Sequence, residues 1–147
     1  MHWPGRMEKV ADQIFVDGGH NVDGIDAFLK SVLTDGCEGK RYLIFSAVSD
    51  KQVDVISRML IGSNAFERIA LCEIELQRAK KLEELKTIFD ILVKDIDGRV
   101  EIVTYGNVSE AYDAERGRIG VDDRLYICGS LYLIGAVKEY IEAIKND

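Results

Sequence analysis

Five short apolar runs, spaced along the chain, most strongly limit the folds open to this sequence. They are IFV at 14–16, YLIF at 42–45, IALC at 69–72, VEIV at 100–103 and LYIC at 125–128. Most of these runs are continuous rather than alternating, which is typical of strands in a parallel sheet whose two faces are both covered. The runs therefore predict five buried strands.

The segments between the runs have helical periodicity, with apolar residues at i, i+3 and i+4. The clearest stripes comprise Ile25, Phe28, Leu29, Val32 and Leu33; Leu82, Leu85, Phe89, Leu92 and Ile96; and Ile134, Val137, Ile141 and Ile144. Two capping-box patterns, SDKQ at 49–52 and NVSE at 107–110, mark helix starts. Strand and helix thus alternate five times, which predicts a doubly wound α/β domain.

Composition and charge exclude several classes of protein. The chain has 147 residues and a net charge of -7, with scattered basic residues, which argues against a nucleic-acid surface. No apolar run approaches the ~20 residues of a membrane span, and the N-terminus lacks the apolar core of a signal peptide. The three cysteines show no C-x-x-C spacing, so reduced thiols are favoured over disulfides or zinc ligands. The sequence predicts one cytoplasmic domain over residues 1–147, without repeats or linkers.

Chemistry in such a fold is expected in the loops that follow the strands. After the first run, Gly18 and Gly19 allow close approach of a ligand, while Asp17 and His20 supply a charge and a titratable ring. After the fifth run, Ser130 stands at a helix N-terminus, which favours an anion such as a carboxylate or phosphate.

Plainer interpretations of these residues stay open at this point. Gly129 and Ser130 also suit a turn followed by an N-cap, and a lone histidine in a loop is more often solvated. Asp17 also suits a cap of the following helix. The cations Arg6, Lys51 and Arg78 also suit an exposed surface.

Missing motifs exclude several α/β enzymes. No G-x-G-x-x-G follows the first run, and no G-x-x-x-x-G-K-[ST] occurs, so neither a dinucleotide fingerprint nor a P-loop is present. The chain also lacks a G-x-S-x-G nucleophile elbow, and the third run does not end in the aspartate of a receiver domain. The sequence therefore contains no self-sufficient catalytic apparatus.

Four segments in order along the chain point to a family. They are HWPGRME at 2–8, VDGGHN at 16–21, SDKQ at 49–52 and CGSLYLIG at 128–135. Together they resemble the C-terminal domain of folylpolyglutamate synthase, including its bifunctional dihydrofolate synthase form, within the Mur ligase family. The resemblance extends over essentially all of the chain, and it favours a functional first loop over a plain turn.

The resemblance implies a Rossmann-like three-layer α/β/α domain, with a mostly parallel sheet that includes one antiparallel edge strand. It implies a ligase that uses ATP and Mg²⁺ to join L-glutamate to folate or dihydropteroate through an acyl phosphate. The P-loop, the Mg²⁺ ligands and most of the folate site would belong to an N-terminal domain absent from residues 1–147. The C-terminal domain, which residues 1–147 resemble, would close over the nucleotide and present glutamate.

The resemblance also assigns roles to individual residues. Arg6 and Asp17 would bind ATP, at its phosphates and ribose respectively. His20, Lys51 and Ser130 would bind the incoming glutamate, whose two carboxylates suit positive charge and a helix N-terminus. The loop backbone would be shaped by Gly18, Gly19, Asn21 and Gly129. No catalytic residue and no metal ligand is expected on this domain alone.

The sequence departs from the family pattern at several positions. The family commonly has D-G-A-H-N-P where this chain has Gly19 and Val22, and Ala136 replaces an acid of the last segment. Gln77 replaces a proline in the third loop, so no role is assigned to Arg78.

We expect the chain to be one domain of a longer ligase and to be inactive alone. The alternatives are a stand-alone domain that binds a small molecule or has a regulatory role, and a purely structural interaction domain.

Overall fold

A computed structural model of the protein describes residues 7–48, 52–96 and 98–145. The elements are β1 (Glu8–Ala11), β2 (Ile14–Val16), α1 (Val22–Leu33), β3 (Arg41–Phe45), α2 (Val53–Gly62), β4 (Arg68–Cys72), α3 (Leu82–Asp95), β5 (Glu101–Tyr105), α4 (Val108–Arg116), β6 (Arg124–Cys128) and α5 (Leu131–Lys145). The five predicted strands are thus β2, β3, β4, β5 and β6, and each is followed by a helix, so the predicted alternation is confirmed.

The strands form one six-stranded sheet in the order β1-β2-β6-β3-β4-β5. All neighbouring strands are parallel except β1 and β2, which pair antiparallel with Glu8 opposite Val16. The antiparallel edge strand implied by the resemblance is therefore confirmed. Its position was not predicted because β1 has only four residues, none fully buried, and no apolar run.

Helices cover both faces of the sheet and complete the three layers. One core lies between the sheet and helices α1, α2 and α3, and the other between the sheet and helices α4 and α5. Side chains alternate between the two cores along each strand. On β6, Tyr126 and Cys128 face the first core, whereas Leu125 and Ile127 face the second. Burial on both faces explains why the strands are continuously apolar.

Two residues of the predicted helix stripes are exposed. Leu33 is 52% exposed because it is the last residue of α1 and lies at the margin of the apolar stripe. Ile144 lies in the last turn of α5, beyond Ile141, the last residue of that helix in the buried core. The predicted cap at 107–110 is confirmed, since Asn107 accepts a hydrogen bond from the backbone N–H of Glu110 (2.9 Å). Most of the box at 49–52 lies outside the described residues.

Two polar clusters fasten the sheet to the surrounding elements. Under α4, the guanidinium Nε of the buried Arg68 donates to both carboxylate oxygens of Glu115, at 3.0 and 3.2 Å. At the amino ends of the strands, Asp35 accepts hydrogen bonds from the side chains of Tyr126 and Arg41. Burial alone would raise the pKa of Asp35, but these bonds outweigh it and hold the pKa below its usual value. In the part of the chain that the structure describes, no helix has the length and apolar character needed to cross a membrane.

Candidate functional site

The strand order opens a crevice at the carboxyl end of β6. Strand β6 lies between β2 and β3, whose following helices α1 and α2 pack on one face of the sheet. The helix that follows β6, α5, packs on the opposite face. The loops therefore diverge at this point, and in open α/β sheets ligands bind at such a switch point. We call this side of the sheet, where the parallel strands end, the carboxyl edge.

Asp17 is the first residue of the loop after β2 and is only 2% exposed. Its backbone N–H continues the sheet by donating to Ile127 O (2.9 Å). Its carboxylate accepts the backbone N–H of Gly19 at Oδ1 (2.8 Å) and that of Met7 at Oδ2 (3.2 Å). Asp17 therefore joins the loop to the chain that leads into β1. The plainer interpretation, that Asp17 caps α1, is wrong, because the N-cap of α1 is Asn21.

The rest of the first loop is held by close backbone packing. Asn21 is the N-cap of α1, and its Oδ1 accepts the backbone N–H of Gly24 (2.8 Å). A Cβ on Gly19 would lie 2.9 Å from the carbonyl oxygen of Gly24, so in this packing a larger residue would require the loop and the first turn of α1 to move apart. The exposed His20 has Nδ1 3.0 Å from Gly18 O. Because a carbonyl only accepts, Nδ1 is the protonated nitrogen in this contact.

The loop after β6 packs directly against the first loop. The backbone N–H of Gly129 donates to Gly19 O (3.0 Å). Gly129 has φ +116°, and a Cβ there would lie 2.0 Å from Ser46 O. Ser130 is 5% exposed, and its Oγ accepts the backbone N–H of Tyr132 (3.0 Å). Ser130 therefore caps α5, and its hydroxyl hydrogen is the only donor of this side chain.

The third loop, after β4, brings Arg78 to the same edge. Val48 and Ala79 form an antiparallel bridge, and the backbone N–H of Lys80 donates to Ala47 O (2.8 Å). Glu73 braces the far end of this loop, because its Oε1 accepts the backbone N–H of Leu82 (2.9 Å). These bonds hold the exposed Arg78 on a loop with a defined backbone.

The loops after β2, β3, β4 and β6 line a cavity of about 330 Å³, which we call the carboxyl-edge cavity. It is lined by His20, Val48, Leu76, Arg78, Gly129, Ser130, Leu131 and Tyr132. Its titratable lining consists of the ring of His20, the guanidinium of Arg78 and the phenol of Tyr132. With the N-terminus of the fifteen-residue helix α5 beside them, this lining favours an anionic ligand over a cation.

The structure brings together only part of the predicted site. His20, Gly129 and Ser130 meet at the carboxyl-edge cavity. Gly18, Gly19 and Asn21 lie in the first loop and make its local hydrogen bonds, and their role in supporting a ligand site stays a prediction. Arg6 and Lys51 lie outside the described residues, so their roles stay predictions. The nucleotide contact of Asp17 also stays a prediction.

Sequence reasoning missed five residues that line the cavity: Val48, Leu76, Arg78, Leu131 and Tyr132. Arg78 was left without a role because Gln77 replaced the proline of the family pattern. Leu131 and Tyr132 were quoted within the CGSLYLIG segment without a role, although they are 62% and 42% exposed. Two large apolar side chains exposed on the first turn of α5 are visible only once the helix is placed on the sheet.

A bound metal ion requires several ligand side chains held close together. Within ranges 7–48, 52–96 and 98–145, no three His, Cys, Asp or Glu side chains are grouped so that they could hold a metal ion. The sequence also contains no P-loop motif for triphosphate.

Comparison with curated proteins finds a similar protein of the folylpolyglutamate synthase kind, which the sequence motifs also resemble. A probable bifunctional folylpolyglutamate synthase/dihydropteroate synthase of Haloferax volcanii is 27% identical over 139 residues. The match comprises 93% of this chain and 16% of that protein. No family model matches the chain.

Solved structures of folylpolyglutamate synthases have the same fold. E. coli FolC in complex with ADP has a TM-score of 0.84 at 18% identity, over 99% of this chain and 33% of that chain. A bifunctional folylpolyglutamate synthase/dihydrofolate synthase with Mn, AMPPNP and L-glutamate bound has a TM-score of 0.80 at 19% identity. That match comprises 96% of this chain and 32% of that one. The resemblance seen in the sequence is confirmed, and the chain spans about a third of the length of these solved proteins.

Proposed function

We propose that this chain is a domain of an ATP-dependent ligase that joins L-glutamate to the carboxylate of a folate or of dihydropteroate. In this proposal the carboxyl-edge cavity receives the incoming glutamate, and the acyl phosphate is formed on another domain of the same enzyme. Similarity to folylpolyglutamate synthases, some solved with ADP or with L-glutamate, supports the choice of reaction.

The convergence of His20, Ser130 and Arg78 on one cavity is the observation that carries the proposal. These residues belong to three loops that are distant in sequence, and the strand order brings all three to the switch point. A free amino acid with two carboxylates requires more than one anion-binding group. The cavity provides a helix N-terminus with a hydroxyl donor on one side and a guanidinium on another.

Each residue then has a defined task toward glutamate. Ser130 keeps its oxygen on the first turn of α5 and donates its hydroxyl hydrogen to a carboxylate oxygen. Arg78 binds the second carboxylate, with the fork geometry that guanidinium groups offer. The nitrogen Nε2 of His20 is free of the Gly18 contact and faces the ligand as an acceptor for the ammonium group when the ring is neutral.

The domain's contribution to the reaction is placement. Holding an amine close to an activated acyl group replaces a bimolecular encounter by an effectively unimolecular one, which is a large part of the rate enhancement in such reactions. ATP and Mg²⁺ would be held chiefly by the N-terminal domain, with Arg6 as a further ATP contact predicted from this chain, whereas Lys51 is predicted to contact the glutamate. When bound, ATP supplies the phosphoryl group that activates the acyl carboxylate.

Steady-state kinetics of the complete ligase would test the assignment of glutamate to this cavity. Ser130→Ala and His20→Ala are expected to raise KM for L-glutamate by roughly tenfold, as for loss of one charge-assisted hydrogen bond, with KM for ATP unchanged. Ser109→Ala, at the start of α4 and outside the cavity, is the matched control. A rise in KM for ATP with unchanged glutamate kinetics would refute the assignment.

The same proposal predicts that residues 1–147 alone are inactive. Purified chain incubated with MgATP, a folate and labelled L-glutamate should release no ADP and form no amide above background. Transfer of glutamate by this chain alone would contradict the division of labour between domains.

A further inference from the structure

We propose that the hydroxyl of Ser46 is a further binding group of the carboxyl-edge cavity, which donates a hydrogen bond to a carboxylate of the bound amino acid. Ser46 is the first residue after β3, the strand that lies between β6 and β4, whose following loops carry Ser130 and Arg78. The proposal rests on the proposed function, because it takes L-glutamate as the ligand of this cavity. The buried and unpartnered state of the hydroxyl does not depend on that function.

An unpartnered buried hydroxyl is the observation that points to a ligand. Ser46 is 1% exposed, and its Oγ is one of three buried side-chain atoms without a hydrogen-bond partner in the described part of the chain. The other two are Ser57 Oγ and Arg41 Nε, and Arg41 is paired with Asp35 through another nitrogen of its guanidinium. A buried hydroxyl that makes no hydrogen bond is costly, and the large majority of such groups in native proteins are paired. A ligand carboxylate in the neighbouring cavity would supply the missing partner.

The alternation of side chains after β3 places this hydroxyl on the face of the sheet where α5 packs. Phe45 and Ala47 belong to the first core, whereas Ile44 belongs to the second core and Val48 packs against it. Ser46 lies between Ile44 and Val48 in this alternation, so its side chain points to the same face as theirs. Val48 lines the carboxyl-edge cavity. The hydroxyl therefore points to the side of the sheet on which the Val48 wall of the cavity lies.

Gly129 brings the cavity next to Ser46. The register of β3 and β6 pairs Phe45 with Cys128, so Ser46 lies beside Gly129. The two backbones are so close that a Cβ on Gly129 would lie 2.0 Å from Ser46 O. Gly129 lines the cavity and has no side chain with which to cover its neighbour. Ser46 thus lies immediately behind the lining, and we expect rotation about its Cα–Cβ bond, which has three staggered positions, to present the hydroxyl to a ligand.

The chemistry of the reaction selects the group that Ser46 binds. In the proposed function, the amine of glutamate must stay accessible to an acyl phosphate formed on another domain. The base of the cavity beside Ser46 therefore receives a carboxylate, to which the hydroxyl donates. A hydrogen bond to an ionised acceptor is stronger than one between neutral groups, which favours this pairing over the unpartnered state.

Ser57 provides a matched control on the other face of the sheet. It is 0% exposed, its Oγ is likewise unpartnered, and it lies in α2, which packs against the first core. Ser46→Ala and Ser57→Ala each remove one buried hydroxyl that makes no hydrogen bond. Both variants are therefore expected to match or exceed the melting temperature of the wild type. A fall of several degrees confined to Ser46→Ala would show that its hydroxyl is paired within the protein, and would overturn the proposal.

NMR titration of the ¹⁵N-labelled chain with L-glutamate measures the contribution of Ser46 to binding, with Kd taken from the amide shifts of Leu131 and Tyr132. Ser46→Ala is expected to raise Kd by about tenfold, as for loss of one hydrogen bond to a charged group, and Ser57→Ala to leave it unchanged. An equal Kd in the wild type and Ser46→Ala, or an equal rise in both variants, would refute the role of Ser46 and leave the glutamate site intact. Absence of saturable shifts in the wild type would instead refute glutamate as the ligand, and the role of Ser46 with it.

Discussion

The substitution Gly129→Ala gives the sharpest test of how the strand order shapes the site. The new Cβ would lie 2.0 Å from Ser46 O and 2.7 Å from a ring carbon of Phe45, on the neighbouring strand. The backbone φ of +116° is itself unfavourable for alanine. Backbone strain of this kind costs about 1–3 kcal/mol, and forced displacement of packed groups costs a further 1–3 kcal/mol. We therefore expect a loss of about 2–6 kcal/mol in the free energy of unfolding.

Gly135 provides the opposite expectation for the same chemical change. It is an exposed residue within α5, and its added Cβ would meet nothing within 4 Å. Alanine in a helix interior is favoured over glycine, so Gly135→Ala should raise the free energy of unfolding by about 0.5–1 kcal/mol. Urea denaturation followed by circular dichroism measures both variants. A loss under 1 kcal/mol for Gly129→Ala, or equal effects of the two substitutions, would refute the reasoning.

Three further predictions concern groups away from the cavity. Glu115→Gln removes one of the two carboxylates that pair with the buried guanidinium of Arg68, and Glu101 remains at 2.9 Å. It should cost about 1.5–3 kcal/mol in urea denaturation, as for loss of a hydrogen bond between charged groups. A cost near zero would contradict this. Cys37 is half-buried, whereas burial raises the pKa of Cys72 to about 12. Iodoacetamide at pH 8 should therefore label Cys37 before Cys72, as measured by peptide mass spectrometry. Equal labelling of the two cysteines would refute this prediction. The pKa of Asp35 is below its usual value, so its stabilisation is present above the usual carboxyl range and is lost as pH falls through the folded pKa. Between pH 5 and about 2, the free energy of unfolding should therefore fall less for Asp35→Asn than for the wild type. Acid unfolding curves that run parallel for the two proteins would contradict this prediction.

The fold was predictable because its strands are buried on both faces. Continuous apolar runs such as IALC gave β4 its position, and the helical stripe from Ile25 to Val32 gave α1 its buried face. Strand β1 has neither signal, because an edge strand beside solvent needs no apolar run. The position of β6 between β2 and β3 depends on contacts between distant segments, which no local pattern encodes.

The site was predictable where a local motif and a local role coincide. Ser130 was predicted at a helix N-terminus, and its side chain caps α5. The cap of α1 is Asn21 and not the suggested Asp17. Arg78 reaches the cavity because backbone bonds to the second loop brace its own loop, and these bonds have no sequence signature. The burial of Asp17 likewise follows from packing between three segments.

An NMR titration of the ¹⁵N-labelled chain with L-glutamate tests the central claim most directly, because it detects binding in the millimolar range. We predict saturable shifts at the amides of Gly129, Leu131 and Tyr132, which diminish in Ser130→Ala and with L-glutamine in place of L-glutamate. The amide of Gly120, at the opposite edge of the sheet, should not shift. Absence of saturable shifts, or shifts centred on Gly120, would contradict a glutamate site at the carboxyl edge.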